Sequence, residues 1–350
     1  MRLTLVSGGS ESRWFEGRWL GSDGSSRCGP VFCTFPRSVN GMTRPLQVLV
    51  CTAKDQEAWR DALAVCLPQA RVHTGLDAPP CDYAVIWNPP PELFERQREL
   101  KALFSLGAGV NGLLALPTLP VDVPLIRMED VGMAAQMQEY ALYVALRQFR
   151  AMPYYEHAQS DRVWARQAMR MRDEFRIGVL GLGVLGGAVA RSLAAFGFSV
   201  SGWSRSAKSI ANVICETGAD GLNRALERSE LLVLMLPVTD ETSGLLDRDR
   251  IAKLPAGASI ANLSRGDLVD DDALLDALDT GHIAAAYLDV FHAEPLSSEH
   301  RFWAHPRVYM TPHIAALTPH AIACHQVAEK ILKLEAGQPV TGVVDRKLGY

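Results

Sequence analysis

The chain has 350 residues, of which 48% are hydrophobic and 21% are charged, and its formal net charge is −4 at pH 7. These values are typical of a soluble globular protein with about two domains, and they exclude extensive disorder, collagen-like repetition and a basic surface for nucleic acid. No apolar run is both long enough and free enough of glycine and proline to predict a membrane span.

Residues 1–41 differ from the rest of the chain. They are rich in glycine, serine and arginine and show no sustained helical or strand period, whereas a clean strand pattern begins at Pro45. We predict a disordered extension over residues 1–41. A targeting peptide is the alternative, which the arginines favour and which Glu11, Glu16 and Asp23 oppose.

From Leu46 onward, short apolar strands alternate with helical segments. We predict strands at 46–52, 70–74, 82–87, 101–105 and 123–127, and helices near 55–66 and 92–98. A longer helix is predicted from about 131 to 150, where Met133, Met137 and Val144 recur on one face, and Pro153 is expected to end it. The polar segment 154–172 is predicted to cross over to a second domain.

A second alternating pattern starts at Arg176. It predicts strands at 176–181, 198–203, 231–236, 258–263, 283–290 and 307–311, with helices between them. One helix is expected over 270–280, beginning at Asp270 and ending at Gly281, and a final helix over about 320–336. This alternation predicts parallel sheets covered on both faces, so the expected fold class is α/β with two doubly wound domains.

A glycine-rich turn follows the first strand of the second pattern. Gly181, Gly183 and Gly186 form G-x-G-x-x-G between an apolar strand and a helix, which is the context that dinucleotide binding requires. The three glycines would permit a tight turn, the approach of a pyrophosphate and close packing of helix on strand, respectively. The helix N-terminus would offer amide donors to the phosphates.

The end of the next strand indicates which dinucleotide is bound. An NAD site usually places Asp or Glu there on the ribose 2′-hydroxyl, but this chain has Ser204, Arg205 and Ser206. A guanidinium in place of a carboxylate suits a 2′-phosphate. We therefore expect NADPH to be preferred, with NADH as the alternative cofactor. A solvated surface arginine is the competing interpretation of Arg205.

Three titratable residues follow strands at the edge where ligands of open α/β sheets bind. They are Arg265, Glu294 and His313. An arginine can hold a carboxylate, a histidine can exchange a proton near neutral pH, and a carboxylate can orient that histidine. Each residue alone also has a structural explanation, and His292 is placed nearly as well as His313.

These segments together resemble the D-isomer-specific 2-hydroxyacid dehydrogenase family, most closely its glyoxylate/hydroxypyruvate reductases. The resemblance covers about residues 45–350 and is carried by the glycine loop and by these segments: Trp87-Asn-Pro-Pro, Leu106-Gly-Ala-Gly-Val-Asn111, Leu236-Pro-Val-Thr-Asp-Glu-Thr242, Asn262-Leu-Ser-Arg-Gly266, Leu288-Asp-Val-Phe and Thr311-Pro-His313. One departure is Asn111, where relatives usually carry Asp.

The resemblance implies roles for individual residues. Arg265, Glu294 and His313 would be the catalytic set. Trp87 would line the substrate pocket, and the backbone amides of Ala108, Gly109 and Val110 would hold the substrate carboxylate together with Arg265. Further cofactor contacts would come from Val184, Leu185, Leu236, Pro237, Thr242 and Asp289, with Asp289 at the nicotinamide carboxamide.

The resemblance also implies the domain organisation and the activity. A flavodoxin-like substrate domain, residues 42–147 and 318–350, would enclose an inserted Rossmann domain, residues 148–317, and the chain would form a homodimer. The implied reaction is NADPH-dependent reduction of small 2-oxoacids, glyoxylate to glycolate and hydroxypyruvate to D-glycerate. Two alternatives remain: a related dehydrogenase of the phenylpyruvate or D-lactate type, and a dinucleotide-sensing binding protein.

The seven cysteines are scattered and form no C-x-x-C pair. An odd number without regular spacing is typical of reduced thiols in a cytoplasmic protein and predicts no metal site. The resemblance implies the cofactor, a small 2-oxoacid and a second copy of the chain as partners, and the charge and the lack of a long apolar run predict neither nucleic acid nor membrane.

Overall fold

The structure, a computed structural model, describes residues 16–20, 26–30, 44–107 and 109–349. Two compact units, Met1–Arg44 and Pro45–Tyr350, make up the chain. In the first unit, strand β1 (Glu16–Leu20) pairs antiparallel with β2 (Ser26–Pro30), which differs from the disorder predicted for these residues. The remainder of the predicted extension lies outside the described residues, and its assignment stays a prediction.

The second unit begins with a five-stranded parallel sheet. Its strands are β3 (Gln47–Thr52), β4 (Arg71–Thr74), β5 (Tyr83–Trp87), β6 (Ala102–Ser105) and β7 (Leu125–Arg127). Their spatial order, β4-β3-β5-β6-β7, is the flavodoxin-like order. Strands β5 and β6 are almost wholly buried, because helices and loops cover both faces of a parallel sheet. The helices here are α1 (Gln56–Cys66), α2 (Leu93–Arg96) and α3 (Asn111–Leu114).

Helix α4 (Met133–Phe149) leads from the first sheet to the second. Its buried residues Ala141, Val144 and Ala145 pack in the core of the second sheet, although the predicted boundary at residue 147 assigns them to the substrate domain. Pro153 was expected to end α4 and to precede the crossover, but α4 ends at Phe149 and a further helix follows. Pro153 lies in the first turn of α5 (Met152–Ser160), where a proline costs no hydrogen bond because those N–H groups have no partner within the helix.

The second sheet has seven parallel strands. They are β8 (Arg176–Leu180), β9 (Ser199–Trp203), β10 (Val213–Glu216), β11 (Leu231–Leu234), β12 (Ala258–Asn262), β13 (Ile283–Leu288) and β14 (Val308–Met310). Their order is β10-β9-β8-β11-β12-β13-β14, whose first six members follow the Rossmann order 3-2-1-4-5-6. The prediction of two doubly wound parallel-sheet domains is confirmed.

Four helices belong to the second sheet: α6 (Val184–Ala195), α7 (Gly218–Arg228), α8 (Arg248–Ile251) and α9 (Asp271–Asp279). Helix α9 begins and ends as its sequence predicts. The Asp270 carboxylate accepts a hydrogen bond from the Ala273 amide at 2.9 Å, and Gly281 follows with a φ of +77°.

The last helix, α10 (His320–Glu335), returns to the first sheet. It packs on α1, where the His320 ring meets the Trp59 ring edge-to-face at 4.2 Å between centroids and the Cys324 thiol lies 3.8 Å from the Trp59 carbonyl oxygen. The first sheet therefore receives residues from both ends of the second unit. Among the residues that the structure describes, none of the helices is long and apolar enough to cross a membrane.

Candidate active site

The glycine turn after β8 shows why each glycine is needed. Gly181 has a φ of +103°, and a Cβ on it would collide with the backbone of Met235. A Cβ on Gly186 would collide with the Gly181 carbonyl, so helix α6 could not pack as closely on the strand. Gly183 differs, since a Cβ there would meet no heavy atom within 4 Å.

The open space outside Gly183 lies at the N-terminus of α6. Gly183 and Val184 are exposed and Leu185 is half-buried, while Gly186 is buried beneath them. A side chain at position 183 would fill the space that a pyrophosphate needs, and the first N–H groups of α6 have no partner within the helix. The residues present therefore fit a dinucleotide pyrophosphate.

The loop after β9 carries the residues predicted to select the cofactor. Ser204 is buried, its amide donates to the Glu216 carbonyl at 3.1 Å, and its hydroxyl donates to the Ser206 carbonyl at 2.8 Å. Arg205 and Ser206 are exposed. Ser204 thus shapes the loop, and its role as a donor to a 2′-phosphate stays a prediction that requires its hydroxyl to turn.

A tight turn follows β11 on the same edge of the sheet. The Thr242 hydroxyl donates to the Pro237 carbonyl at 2.7 Å and accepts from the Thr239 amide at 2.8 Å. Leu236 is buried beneath this turn and Pro237 is exposed. Thr242 therefore holds the turn that presents Pro237 at the predicted cofactor face.

Arg265 lies in a turn that Asn262 fixes. The buried Asn262 amide donates to the Arg265 carbonyl at 2.7 Å, and its oxygen accepts from the Ser264 amide at 3.3 Å. The guanidinium is half-buried; its Nε donates to Asn111 Oδ1 at 3.1 Å and its Nη1 to the Ser264 carbonyl at 2.5 Å. Burial lowers the pKa of Arg265, and the charges of Glu294 and Asp267 partly oppose this shift.

Close backbone contact brings the Arg265 turn next to the Glu294 turn. A Cβ on Gly266 would collide with the backbone of Phe291 and His292, so only glycine permits this approach. The consequence is electrostatic, because the charges of Arg265 and Glu294 act on each other.

His313 and Glu294 form a hydrogen-bonded pair. The distance from His313 Nδ1 to Glu294 Oε2 is 2.7 Å, and Glu294 Oε1 accepts from the Phe291 amide at 3.0 Å. Burial alone would raise the pKa of Glu294. The hydrogen bonds from His313 and Phe291, together with the charges of His313 and Arg265, outweigh burial and lower the pKa below its usual range. Glu294 is therefore a carboxylate at neutral pH that orients the His313 ring.

His313 adopts a left-handed backbone conformation with a φ of +55°. Such a conformation is unfavourable for a residue other than glycine and persists only where neighbours enforce it. Asp289, 1% exposed, supplies that enforcement. Its carboxylate accepts from the Thr311 hydroxyl at 2.6 Å and from the Ile314 and Ala315 amides at 2.8 Å each, and its carbonyl accepts from the His313 amide.

Asp289 was predicted to contact the nicotinamide carboxamide, but its observed hydrogen bonds go to the protein itself. Both carboxylate oxygens already accept hydrogen bonds from the turn that contains His313. The observed role is to hold this turn, and the cofactor contact stays a prediction.

The loop after β6 places the predicted substrate residues. A Cβ on Gly107 would collide with the Trp87 ring, and a Cβ on Gly109 would collide with the Arg265 guanidinium. Because these two positions are glycines, the Trp87 ring and the Arg265 guanidinium can both pack closely against this loop. Val110 is 2% exposed, and Ala108 lies outside the described residues. The use of these backbone amides to bind a carboxylate stays a prediction.

His292 was the competing candidate for the proton donor. Its Nδ1 lies 3.2 Å from Asp267 Oδ1 and its Nε2 lies 3.0 Å from the Val269 carbonyl. Since both ring nitrogens contact neighbouring acceptors, His292 ties two loops together instead of presenting a nitrogen to a substrate. No group of three potential metal ligands occurs within the described part of the chain.

One edge of the second sheet thus carries the glycine turn after β8, and Arg265 and the hydrogen-bonded His313–Glu294 pair after β12, β13 and β14. The family model for the NAD binding domain of D-isomer specific 2-hydroxyacid dehydrogenases matches residues 142–315. The glyoxylate/hydroxypyruvate reductase A of Serratia proteamaculans is 48% identical over 301 residues, which are 84% of this chain and 96% of the relative. The chain belongs to the D-isomer-specific 2-hydroxyacid dehydrogenase family. The corresponding reductase of Yersinia enterocolitica is 43% identical over 85% of this chain and 97% of its own.

Solved structures of this family share the fold. A D-isomer specific 2-hydroxyacid dehydrogenase from Xanthobacter autotrophicus, crystallised with NADPH and MES, has a TM-score of 0.84 and 40% identity over 88% of this chain and all of its own. An NADPH-dependent glyoxylate/hydroxypyruvate reductase from Sinorhizobium meliloti, with NADP and sulfate bound, has a TM-score of 0.82 and 37% identity over 87% of this chain and all of its own.

The sequence did not predict a role for several residues of this dehydrogenase site. Asn262 and Gly266 lie within a segment that carried the resemblance, but only the packed turns show that they position Arg265. Tyr140 and Thr311, which bond to each other at 2.6 Å, gave no sequence signal of a joint role.

Proposed function

We propose that this dehydrogenase reduces small 2-oxoacids with NADPH, converting glyoxylate to glycolate and hydroxypyruvate to D-glycerate. The observation that carries the proposal is the hydrogen bond between His313 and Glu294 beside Arg265, at the edge of a dinucleotide-binding sheet. The names of the relatives in Serratia and Yersinia support the substrate class.

Arg265 is suited to hold the substrate carboxylate and to polarise its carbonyl. Its hydrogen bonds to Asn111 and Ser264 use two of the five N–H groups of a guanidinium, so three remain for an anion. Because Nε and Nη1 are held by neighbours, little orientational freedom is lost when the substrate binds.

His313 supplies the proton of the reaction. When bound, NADPH supplies the hydride that reduces the carbonyl carbon. His313 donates its Nε2 proton to the carbonyl oxygen, so the products are the 2-hydroxyacid and NADP⁺ and the proton is recovered from solvent. Glu294 accepts a hydrogen bond from the Nδ1–H group, which leaves Nε2 as the nitrogen that faces the substrate.

The preference for NADPH over NADH is part of the proposal. Arg205 follows β9 where NAD-binding sheets usually carry a carboxylate, and it is exposed in the loop that Ser204 shapes. The relatives crystallised with NADPH or NADP support the same preference. NADH is the alternative cofactor.

A substrate panel tests the proposed reaction. The purified protein is expected to oxidise NADPH fastest when glyoxylate or hydroxypyruvate is the substrate. The loss of NADPH absorbance measures the rate. Higher kcat/KM for phenylpyruvate or pyruvate would assign the alternative dehydrogenase type. Binding of NADPH without turnover of any 2-oxoacid would instead favour a dinucleotide-sensing protein.

Replacing Glu294 with glutamine is expected to change the pH dependence of kcat/KM. The pKa of Glu294 lies below its usual range, so the carboxylate stays charged, and able to orient His313, until the pH falls below that lowered value. Glutamine keeps an acceptor but removes the charge. Wild-type kcat/KM should therefore decline at acid pH, where Glu294 becomes protonated, and the Glu294→Gln variant should lack that decline. An unchanged profile would contradict the role given to Glu294.

We further propose a cytoplasmic homodimer. The segment after α5 exposes large apolar side chains, with Trp164 94% and Met169 89% exposed, and a second copy of the chain would bury them. Sedimentation velocity should give twice the mass of the chain, and a monomer would refute the assembly. The free thiols of Cys51, Cys215 and Cys324 fit a reducing compartment.

A further inference from the structure

Helix α4 contacts the turn that carries His313 at both ends of that turn. At the first end, the Tyr140 hydroxyl lies 2.6 Å from Thr311 Oγ1. At the other end, Gln136 Nε2 donates to the Leu317 carbonyl at 2.8 Å, and the Leu317 amide donates back to Gln136 Oε1 at 3.0 Å. Gln136 and Tyr140 are four residues apart and therefore share one face of the helix.

Tyr140, Thr311 and Asp289 form a series of hydrogen bonds, and the Asp289 carboxylate at its end fixes the direction of each bond. A carboxylate oxygen can only accept, so Thr311 must donate its single hydroxyl proton to Asp289 Oδ1 at 2.6 Å. The Thr311 oxygen is then left with lone pairs only, and the Tyr140 hydroxyl must be the donor between the two. The chain Tyr140 to Thr311 to Asp289 therefore runs one way and ends on the carboxylate that holds the His313 turn.

The remaining contacts of Asp289 show why this chain matters for His313. The same carboxylate accepts from the amides of Ile314 and Ala315, which directly follow His313. Since the left-handed φ of His313 is unfavourable, the geometry of the His313–Glu294 pair depends on how firmly this carboxylate is held. Tyr140, the first donor of this series of hydrogen bonds, is half-buried. Burial raises its pKa and keeps its hydroxyl protonated as a donor.

We propose that Tyr140 is a positioning residue for the proton donor: through Thr311 it fixes Asp289 and hence the turn that presents His313 to the substrate. This role rests on the proposed 2-oxoacid reduction. Tyr140 touches neither substrate nor cofactor in the proposal, and it acts by linking helix α4, which joins the two sheets, to the catalytic turn.

The helix provides a matched control. Tyr143 lies one turn further along α4, its ring is 6.3 Å from that of Tyr140, and it is 56% exposed. Tyr140→Phe and Tyr143→Phe each remove one hydroxyl from the same helix, but only the first removes a donor to Thr311. Thr311→Val removes the next link.

Turnover is the first measurement. Tyr140→Phe and Thr311→Val should each lower kcat for glyoxylate about 3- to 30-fold, and Tyr143→Phe should leave it within about twofold of wild type. NADPH affinity, measured by fluorescence of the bound cofactor, should change in none of them. The double variant should be no slower than the slower single variant, because both remove one chain of hydrogen bonds.

Hydrogen exchange of the protein without substrate is the second measurement. The amides of Ile314 and Ala315 should exchange faster in Tyr140→Phe and Thr311→Val than in wild type and Tyr143→Phe, while the strands of both sheets keep their protection. This arm does not depend on turnover, so it decides the positioning role even if wild type reduces no 2-oxoacid and the proposed function fails. Unchanged exchange at Ile314 and Ala315 would overturn the proposal. Faster exchange across the whole second unit, or a parallel loss of NADPH affinity, would also overturn it, because the hydroxyl would then support the fold in general.

Discussion

Replacing His313 with asparagine is expected to lower kcat for glyoxylate by about 10²- to 10⁴-fold, the usual contribution of a general acid. Asparagine can keep a hydrogen bond to Glu294 and tolerates the left-handed conformation observed at this position, so the turn should survive. NADPH binding should be retained, because the glycine turn and the Arg205 loop follow other strands. Steady-state kinetics and a cofactor titration on the same preparation would give both results.

Two other histidines provide controls for this prediction. His305 Nε2 lies 3.2 Å from Asp279 Oδ1, where α9 ends and before β14 begins, at the edge of the sheet opposite the site. His305→Asn therefore makes the same change to a histidine–carboxylate pair away from the site and should leave kcat unaltered. His292→Asn tests the competing proton donor. If His313→Asn retained near wild-type turnover while His292→Asn lost it, the assignment of the proton donor would be wrong.

The regular elements were predictable because their burial pattern is local. The strand predicted at 46–52 forms at Gln47–Thr52, since a parallel strand buried on both faces is a continuous apolar run between polar turns. Strand β10 was missed. It has four residues, lies at the edge of its sheet and is only half-buried, so its pairing with β9 rather than its own composition makes it a strand.

The site could be predicted only in part, for a topological reason. Arg265, Glu294 and His313 follow neighbouring strands of one parallel sheet, and the carboxyl ends of such strands meet at one edge. Tyr140 is separated from Thr311 by 171 positions and contacts it because of the way α4 packs on the sheet. Nor does the sequence reveal that Asp289 directs both carboxylate oxygens to the His313 turn, since that requires the turn's conformation.

The cofactor preference is expected to reverse when Ser204 is replaced with aspartate. The 2′-phosphate of NADPH carries close to two negative charges, which a carboxylate at the end of β9 would repel, whereas the same carboxylate would accept from the ribose hydroxyls of NADH. Ser204 is 7% exposed and its hydroxyl donates to the Ser206 carbonyl. Aspartate cannot make that bond, so its carboxylate should turn outward toward the ribose. The measurement is kcat/KM for both cofactors.

Arg205→Ala tests the attractive half of the same selection. A guanidinium forms charge-assisted hydrogen bonds to phosphate, so its loss should weaken NADPH by roughly 1.5–3 kcal/mol, which is about tenfold or more in KM, and leave NADH nearly unchanged. Arg301→Ala is the matched control, because Arg301 is an exposed arginine that pairs with Asp272 on α9, outside the Arg205 loop. An equal loss for both cofactors in Arg205→Ala would show that this arginine supports the loop instead of binding the phosphate. A preference of the wild-type enzyme for NADH would refute the proposed 2′-phosphate site. Ser204→Asp would then leave the cofactor preference unchanged.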